Sequence, residues 1–210
     1  MSEFGYIPEA PEQSFGNNKG IFSPKDIYDL TRADKYTNYG QLDLLQTQTI
    51  SSATANFTSL DVSTYNVHLF TMSDLVVTTQ TELGIRVSND NGSSFETASY
   101  QFANERGLAS GSFAERKSTS QGSIRLGGDA KAETNSTFNG YFYMYNAGDS
   151  AKFTYFTSHT TFTSGTLYAT EFGSGVYNNA ESINAIQIGE GILGAFSSGT
   201  ISAYGIKEYS

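Results

Sequence analysis

A chain of 210 residues carrying 21 acidic against 12 basic side chains, for a net charge of −9, has the wrong sign for a phosphate backbone or an anionic membrane surface. With 38% hydrophobic and 16% charged residues it has a globular composition, polar through Ser, Thr, Asn and Gly rather than through charge. The absence of Cys removes disulfides and thiolate metal sites, so cohesion must come from packing, strand pairing or assembly. The length suits one β-sandwich or barrel domain with an appended arm. Neither nucleic acid nor a membrane is an expected partner. No window approaches the ~18 apolar residues of a membrane-spanning helix. Met1 is followed by Ser2-Glu3-Phe4-Gly5-Tyr6, which lacks the basic start and apolar run of a secretory signal peptide.

All three prolines, Pro8, Pro11 and Pro24, fall in the head of the chain. Proline removes a ladder donor, so its absence afterwards fits a body of paired strands. The head, "SEFGYIPEAPEQSFGNNKG", reads either as an extended arm that docks Phe4, Tyr6 and Phe15 on a partner or as an uncommitted terminus. A short helix over about 23–30 follows from capping rules. Ser23 is a good N-cap, Pro24 suits the first helical position, and Asp26 can reach back to the cap. Ile27 and Leu30 share one face with Tyr28 beside them, and Ile21 and Phe22 precede as staple partners. These five residues join the candidate docking set. So short a helix must pack on something to persist. The expected organisation is a docking arm over 1–36 and a single body over 37–210.

From Gln41 the apolar period becomes two. In "QLDLLQTQTI" Leu42 and Leu44 share a face until a one-residue slip, and "ATANFTSLDV" follows. In "YNVHLFTMSDLVV" Val67, Leu69 and Thr71 oppose Phe70 and Met72. Asn91-Gly92 between "ELGIRVS" and "SFETASYQFA" is a strong hairpin signal. Residues 104–122, rich in Gly and Ser around Glu115, Arg116 and Lys117, read as a long loop. Then "SIRLGG", "STFNGYFYMYN", "AKFTYFTSHTTF", "TLYATEFG", "SINAIQIG" and "GTISAYGIKEY" form a procession of strands, with Asn139-Gly140 and "NAGD" at 146–149 as tight turns. The expected fold is all-β: an antiparallel β-sandwich or jelly roll with an extended N-terminal arm and one short helix.

Candidate chemistry is sparse. His68 and His159, the two histidines, sit in strand patterns and read as half-buried or surface strand residues rather than ligands or bases. No G-x-S-x-G elbow marks a nucleophile, and no carboxylate pair stands out for glycoside hydrolysis. "SNDNGSS" is oxygen-rich but lacks the spacing and closing glutamate of an EF-hand. Neither a catalytic set, a metal site nor a cofactor site is expected. Tyr141, Tyr143 and Tyr145 alternate along one strand. They either present a sugar-stacking or partner surface, or cover the face of a core filled by the aromatics between them.

The segment "GNNKGIFSPKDIYDLTRADKY" resembles the N-terminal stretch of virion structural proteins of tailed bacteriophages, in which G-[IV]-[FWY]-S leads into D-[IV]-Y and a Lys-aromatic pair. Here these are Gly20, Ile21, Phe22, Ser23, Asp26, Ile27, Tyr28, Lys35 and Tyr36. The strands from Tyr65 to Ala103 and the closing "SGTISAYGI", with Ser202, Tyr204, Gly205 and Ile206 in register and Ala203 in place of a bulky residue, are similar to a β-sandwich of particle proteins from marine and cyanobacterial phages. The resemblance implies a non-enzymatic structural role on the virion exterior, as head decoration, knob, collar or tail appendage. Partners would be capsid, portal, collar or tail proteins, and cyclic homo-oligomers, trimers in particular, are expected. An adhesin for a host receptor or surface glycan is the alternative, and an enzyme degrading envelope polysaccharide a third reading.

Overall fold

The computed structural model describes residues 13–14, 17–18, 23–33, 42–133, 135–190 and 196–207. The chain divides into two compact units, Met1–Gln41 and Leu42–Ser210. In the first, β1 (Gln13–Ser14) pairs antiparallel with β2 (Asn17–Asn18), and α1 spans Pro24–Arg32. The capping box forms as the sequence dictates. Ser23 Oγ accepts from the Asp26 amide at 3.2 Å, and Asp26 Oδ2 accepts from the Ser23 amide at 2.8 Å. The helix runs two residues past the expected end, where the Thr31 hydroxyl donates to the Ile27 carbonyl at 2.7 Å. Within it Ile27 and Leu30 are half-buried and Tyr28 is 63% exposed. Phe4, Tyr6, Phe15, Ile21 and Phe22, the other candidate docking residues, lie outside the described residues.

The second unit contains β3 (Leu42–Thr49), β4 (Thr54–Phe57), β5 (Val67–Val77), β6 (Thr81–Ser88), β7 (Tyr100–Leu108), β8 (Phe113–Gln121), β9 (Ile124–Ala130), β10 (Phe138–Tyr145), β11 (Thr154–Ser164), β12 (Leu167–Tyr177), β13 (Ala185–Glu190) and β14 (Phe196–Ile206). All pairings are antiparallel, and two layers result. The larger runs β3-β14-β5-β10-β11-β12-β7-β8 and the smaller β9-β6-β13-β4, joined by the single pair Ser164↔Ala130. Setting aside the hairpins β7–β8 and β11–β12, the remaining eight strands, counted in chain order, lie 1-8-3-6 against 2-7-4-5. That is the strand order of a jelly roll. Both hairpins are insertions that widen the same layer beyond β10.

The core lies between the layers. Phe70 of β5 stacks on Phe142 of β10 at 4.6 Å and meets Phe57 of β4, in the opposite layer, edge-on at 5.6 Å. Ile85, Val87, Ile186 and Ile188 of the small layer are buried, as are Met144, Phe156 and Ile201 of the large one. Alternation accounts for each choice, since every second residue of these strands turns inward. The slip read after Leu44 is a β-bulge: register shifts between Ala203 and Tyr204 of β14, and the burial alternation of β3 skips at Leu45.

Three local expectations are corrected. Asn91 and Gly92 take positive φ (59° and 81°) and do turn the chain, but they do not close a hairpin. β6 pairs with β9 and β13, whereas β7 pairs with β8 and β12 in the other layer. Residues 104–122 are not a loop but most of the β7–β8 hairpin; β8 is an edge strand with no buried residue, so it lacks an apolar period. Asn139-Gly140 is no turn but lies inside β10, opposite a bulge of β5 at Asp74, and a Cβ on Gly140 would approach the His159 carbonyl oxygen to 2.4 Å. The "NAGD" turn forms, with the Asp149 amide donating to the Asn146 carbonyl.

Candidate functional site

Alternation along β10 and β11 sends Phe138, Phe142, Met144, Phe156 and Phe162 into the core and leaves Tyr141, Tyr143, Tyr145, Tyr155 and His159 on the outer face of the large layer. Antiparallel register then lines these residues into rows that cross the strands. One row reads Tyr145, Tyr155, Val176, Gln101; the next Tyr143, Thr157, Ser174, Ala103, Lys117; the third Tyr141, His159, Phe172, Glu105, Glu115. The three candidate tyrosines therefore head three adjacent rows, and the alternation that covers the core with tyrosines also builds a surface from them.

The rings touch one another. Tyr143 stacks on Tyr145 at 6.2 Å and meets Tyr141 edge-on at 5.9 Å, and His159 bridges Tyr141 at 6.1 Å and Phe172 at 6.2 Å. Tyr141 is 42% and Tyr155 47% exposed. The middle row is low, because Thr157, Ser174 and Ala103 are small. A groove of about 710 Å³ lies over it and the first row, bounded by Tyr145 and Tyr155 at one end and Lys117 at the other. Tyr145 and Thr157 share a hydroxyl–hydroxyl hydrogen bond of 3.2 Å, and Lys117 is paired with Glu115. Gln101 and Ser174 were not legible as site residues, whereas Tyr155 and Lys117 lie in the aromatic stretch 141–156 and the Gly- and Ser-rich stretch 104–122. They come from four strands, and only the register brings them together.

Beneath this platform, the inserted strands are tied to the small layer by a buried polar network. Glu171 of β12 is fully buried, and its Oε1 accepts from Arg125 Nε and Asn104 Nδ2, each at 3.0 Å. Arg125 also pairs with Glu82, and Asn104 Nδ2 donates to the Arg125 carbonyl at 2.9 Å. Nearby, Arg106 Nη1 binds Asp129 Oδ2 at 2.5 Å.

The histidines part company. His159 is exposed on the outer face, whereas His68 is fully buried, deeper than its half-buried or surface reading. Its Nε2 carries the proton and donates to the Leu60 carbonyl at 2.6 Å. Burial pushes its pKa below the ordinary value, so the ring is held neutral.

In the oxygen-rich loop, Asp90 is occupied by the protein itself. Its carboxylate accepts from the Ser94 amide and hydroxyl at 2.9 and 2.6 Å and from the Ser88 hydroxyl at 2.7 Å. These bonds, those from Ser94 first, lower its pKa from 3.8 to about 2. A carboxylate depressed on folding contributes stability that is full above its unfolded value and is lost as pH falls through the folded one. Wild-type melting temperature is therefore expected to fall more steeply from about pH 4 to about pH 2 than that of Asp90→Asn. Parallel profiles would show that the carboxylate does not hold the loop. Among the described residues no group of three or more His, Asp or Glu is placed to hold a metal ion. No family model, curated protein or solved structure matches the chain.

Proposed function

We propose that the chain is a structural component of a tailed-phage particle, attached through its N-terminal unit and displaying the jelly roll outward. The observation that supports this most is the division at residue 41. The segment that carries the G-I-F-S and D-I-Y motifs belongs to a compact unit of its own, and the strands that carry the closing S-A-Y-G-I motif belong to a self-contained sandwich. In α1, a capped helix whose residues are none of them fully buried keeps Tyr28 exposed, which suits a contact element. Repetition of such a part on a particle raises effective concentration, so each attachment can be weak. Head decoration, knob, collar and tail appendage all fit this architecture, as does a homo-oligomer.

The test is deletion of residues 1–41, with a β-type circular dichroism spectrum and cooperative melting as the check that the body is intact. Full-length protein is expected to load onto particles lacking it, and the folded truncation to fall to background occupancy. Loading of the truncation at wild-type occupancy would overturn the reading.

A further inference from the structure

We infer that the groove over β10, β11, β12, β7 and β8 binds an uncharged carbohydrate chain. This goes beyond attachment to a particle and does not depend on how the chain is anchored.

A sugar ring offers two things to a protein: flat patches of C–H that pack on aromatic faces, and a rim of hydroxyls that both donate and accept. The groove supplies the complement of each. Tyr145 and Tyr155, neighbours in register across β10 and β11, stand at one end as an aromatic platform, Tyr155 nearly half exposed. Among the apolar Val176 and Ala103, Thr157, Ser174 and Gln101 add hydroxyls and an amide, each able to donate and accept. A purely apolar peptide face would leave these groups unpaired, at a cost in affinity.

Charge narrows the class further. Lys117 is the one ionised side chain among the described lining residues, and Glu115 neutralises it. A polyanion finds no cationic track here and meets a chain of net charge −9. A cationic ligand finds no carboxylate among the described lining residues to pair with. An uncharged ligand meets neither obstacle.

Geometry favours a chain over a single ring. The groove crosses five hydrogen-bonded strands, which at roughly 4.8 Å per strand spacing extends for about 19 Å. Its floor is low because Thr157, Ser174 and Ala103 follow one another in register, and the aromatic row Tyr141, His159, Phe172 borders it. Its walls are strand residues, so little ordering is needed on binding.

The experiment is native affinity electrophoresis of the full-length protein in gels containing hydroxyethyl cellulose, laminarin, xylan or mannan, with alginate as the anionic comparison. Retardation by at least one neutral polysaccharide is expected, insensitive to added salt. Tyr145→Ala and Tyr155→Ala should each weaken it about tenfold or more, as loss of an aromatic contact implies. Phe113→Ala, on the same face but outside the groove, should leave it unchanged. Because these side chains point to solvent, thermal melting should report a folded protein in every case. The inference is overturned if no neutral polysaccharide retards the protein, if Tyr155→Ala binds as wild type does, or if only alginate binds and Lys117→Gln abolishes it. Concentration-dependent self-association that Tyr155→Ala removes, without polysaccharide retardation, would assign the groove to a second copy instead and equally overturn it.

Discussion

Glu171→Ala is expected to destabilise the protein by about 3–5 kcal/mol, the range found when one member of a buried ion pair is removed. The carboxylate is fully enclosed between the layers, and its Oε1 is the acceptor for both Arg125 Nε and Asn104 Nδ2. Without it the guanidinium keeps Glu82, whose side chain is partly exposed, and loses its interior partner. Urea unfolding measures the effect as a midpoint lowered by about 1 M or more at unchanged slope. The pair is not thereby a net source of stability. Replacing both residues together by Met should restore most of the loss, because two desolvation penalties vanish with the attraction. A shift under about 1 kcal/mol for the single variant would mean that water already solvates the site.

The second large effect belongs to Phe142. Its ring is fully buried, stacked on Phe70 at 4.6 Å and tilted against Phe156 at 6.5 Å. Phe142→Ala removes both contacts and leaves a cavity at the centre of the large layer, for an expected loss of about 3–5 kcal/mol. The adjoining Tyr143 faces outward, so Tyr143→Ala should cost less than about 1 kcal/mol. The contrast between neighbours is the measurement, read from chemical denaturation of the two variants side by side. Equal losses would contradict the assignment of faces along β10.

That assignment is also where the sequence was most informative. "YFYMY" states its own alternation, and Leu44-Leu45 its own bulge, because both signals are local. Other features depend on partners distant in the chain. Asn91-Gly92 does adopt the left-handed backbone that its residues favour, yet whether flanking strands pair is decided by β9, β12 and β13, which claim β6 and β7 for different layers. The strand β8 leaves no mark in the sequence because an edge strand with two wetted faces carries no apolar period. Its run of Glu115, Arg116 and Lys117, which suggests a loop, is the charge that keeps an open edge from recruiting another strand. The groove was illegible for the same reason. Gln101, Thr157 and Ser174 have no distinguishing neighbours in sequence and acquire a shared role only through register.

The two inserted hairpins divide the labour of the molecule. The jelly-roll strand order is complete in eight strands, to whose core the hairpins add Tyr100, Phe156, Phe162 and Tyr177, whereas of the groove's walls only Tyr145 belongs to those eight. Surface residues on β7, β8, β11 and β12 can therefore change without touching the Phe57, Phe70 and Phe142 cluster, provided Glu171 and Arg125 keep the added strands fastened. Such a layout makes the outer face a replaceable panel on a fixed frame, and it offers a route to redirecting what the protein contacts by exchanging side chains on the two hairpins alone.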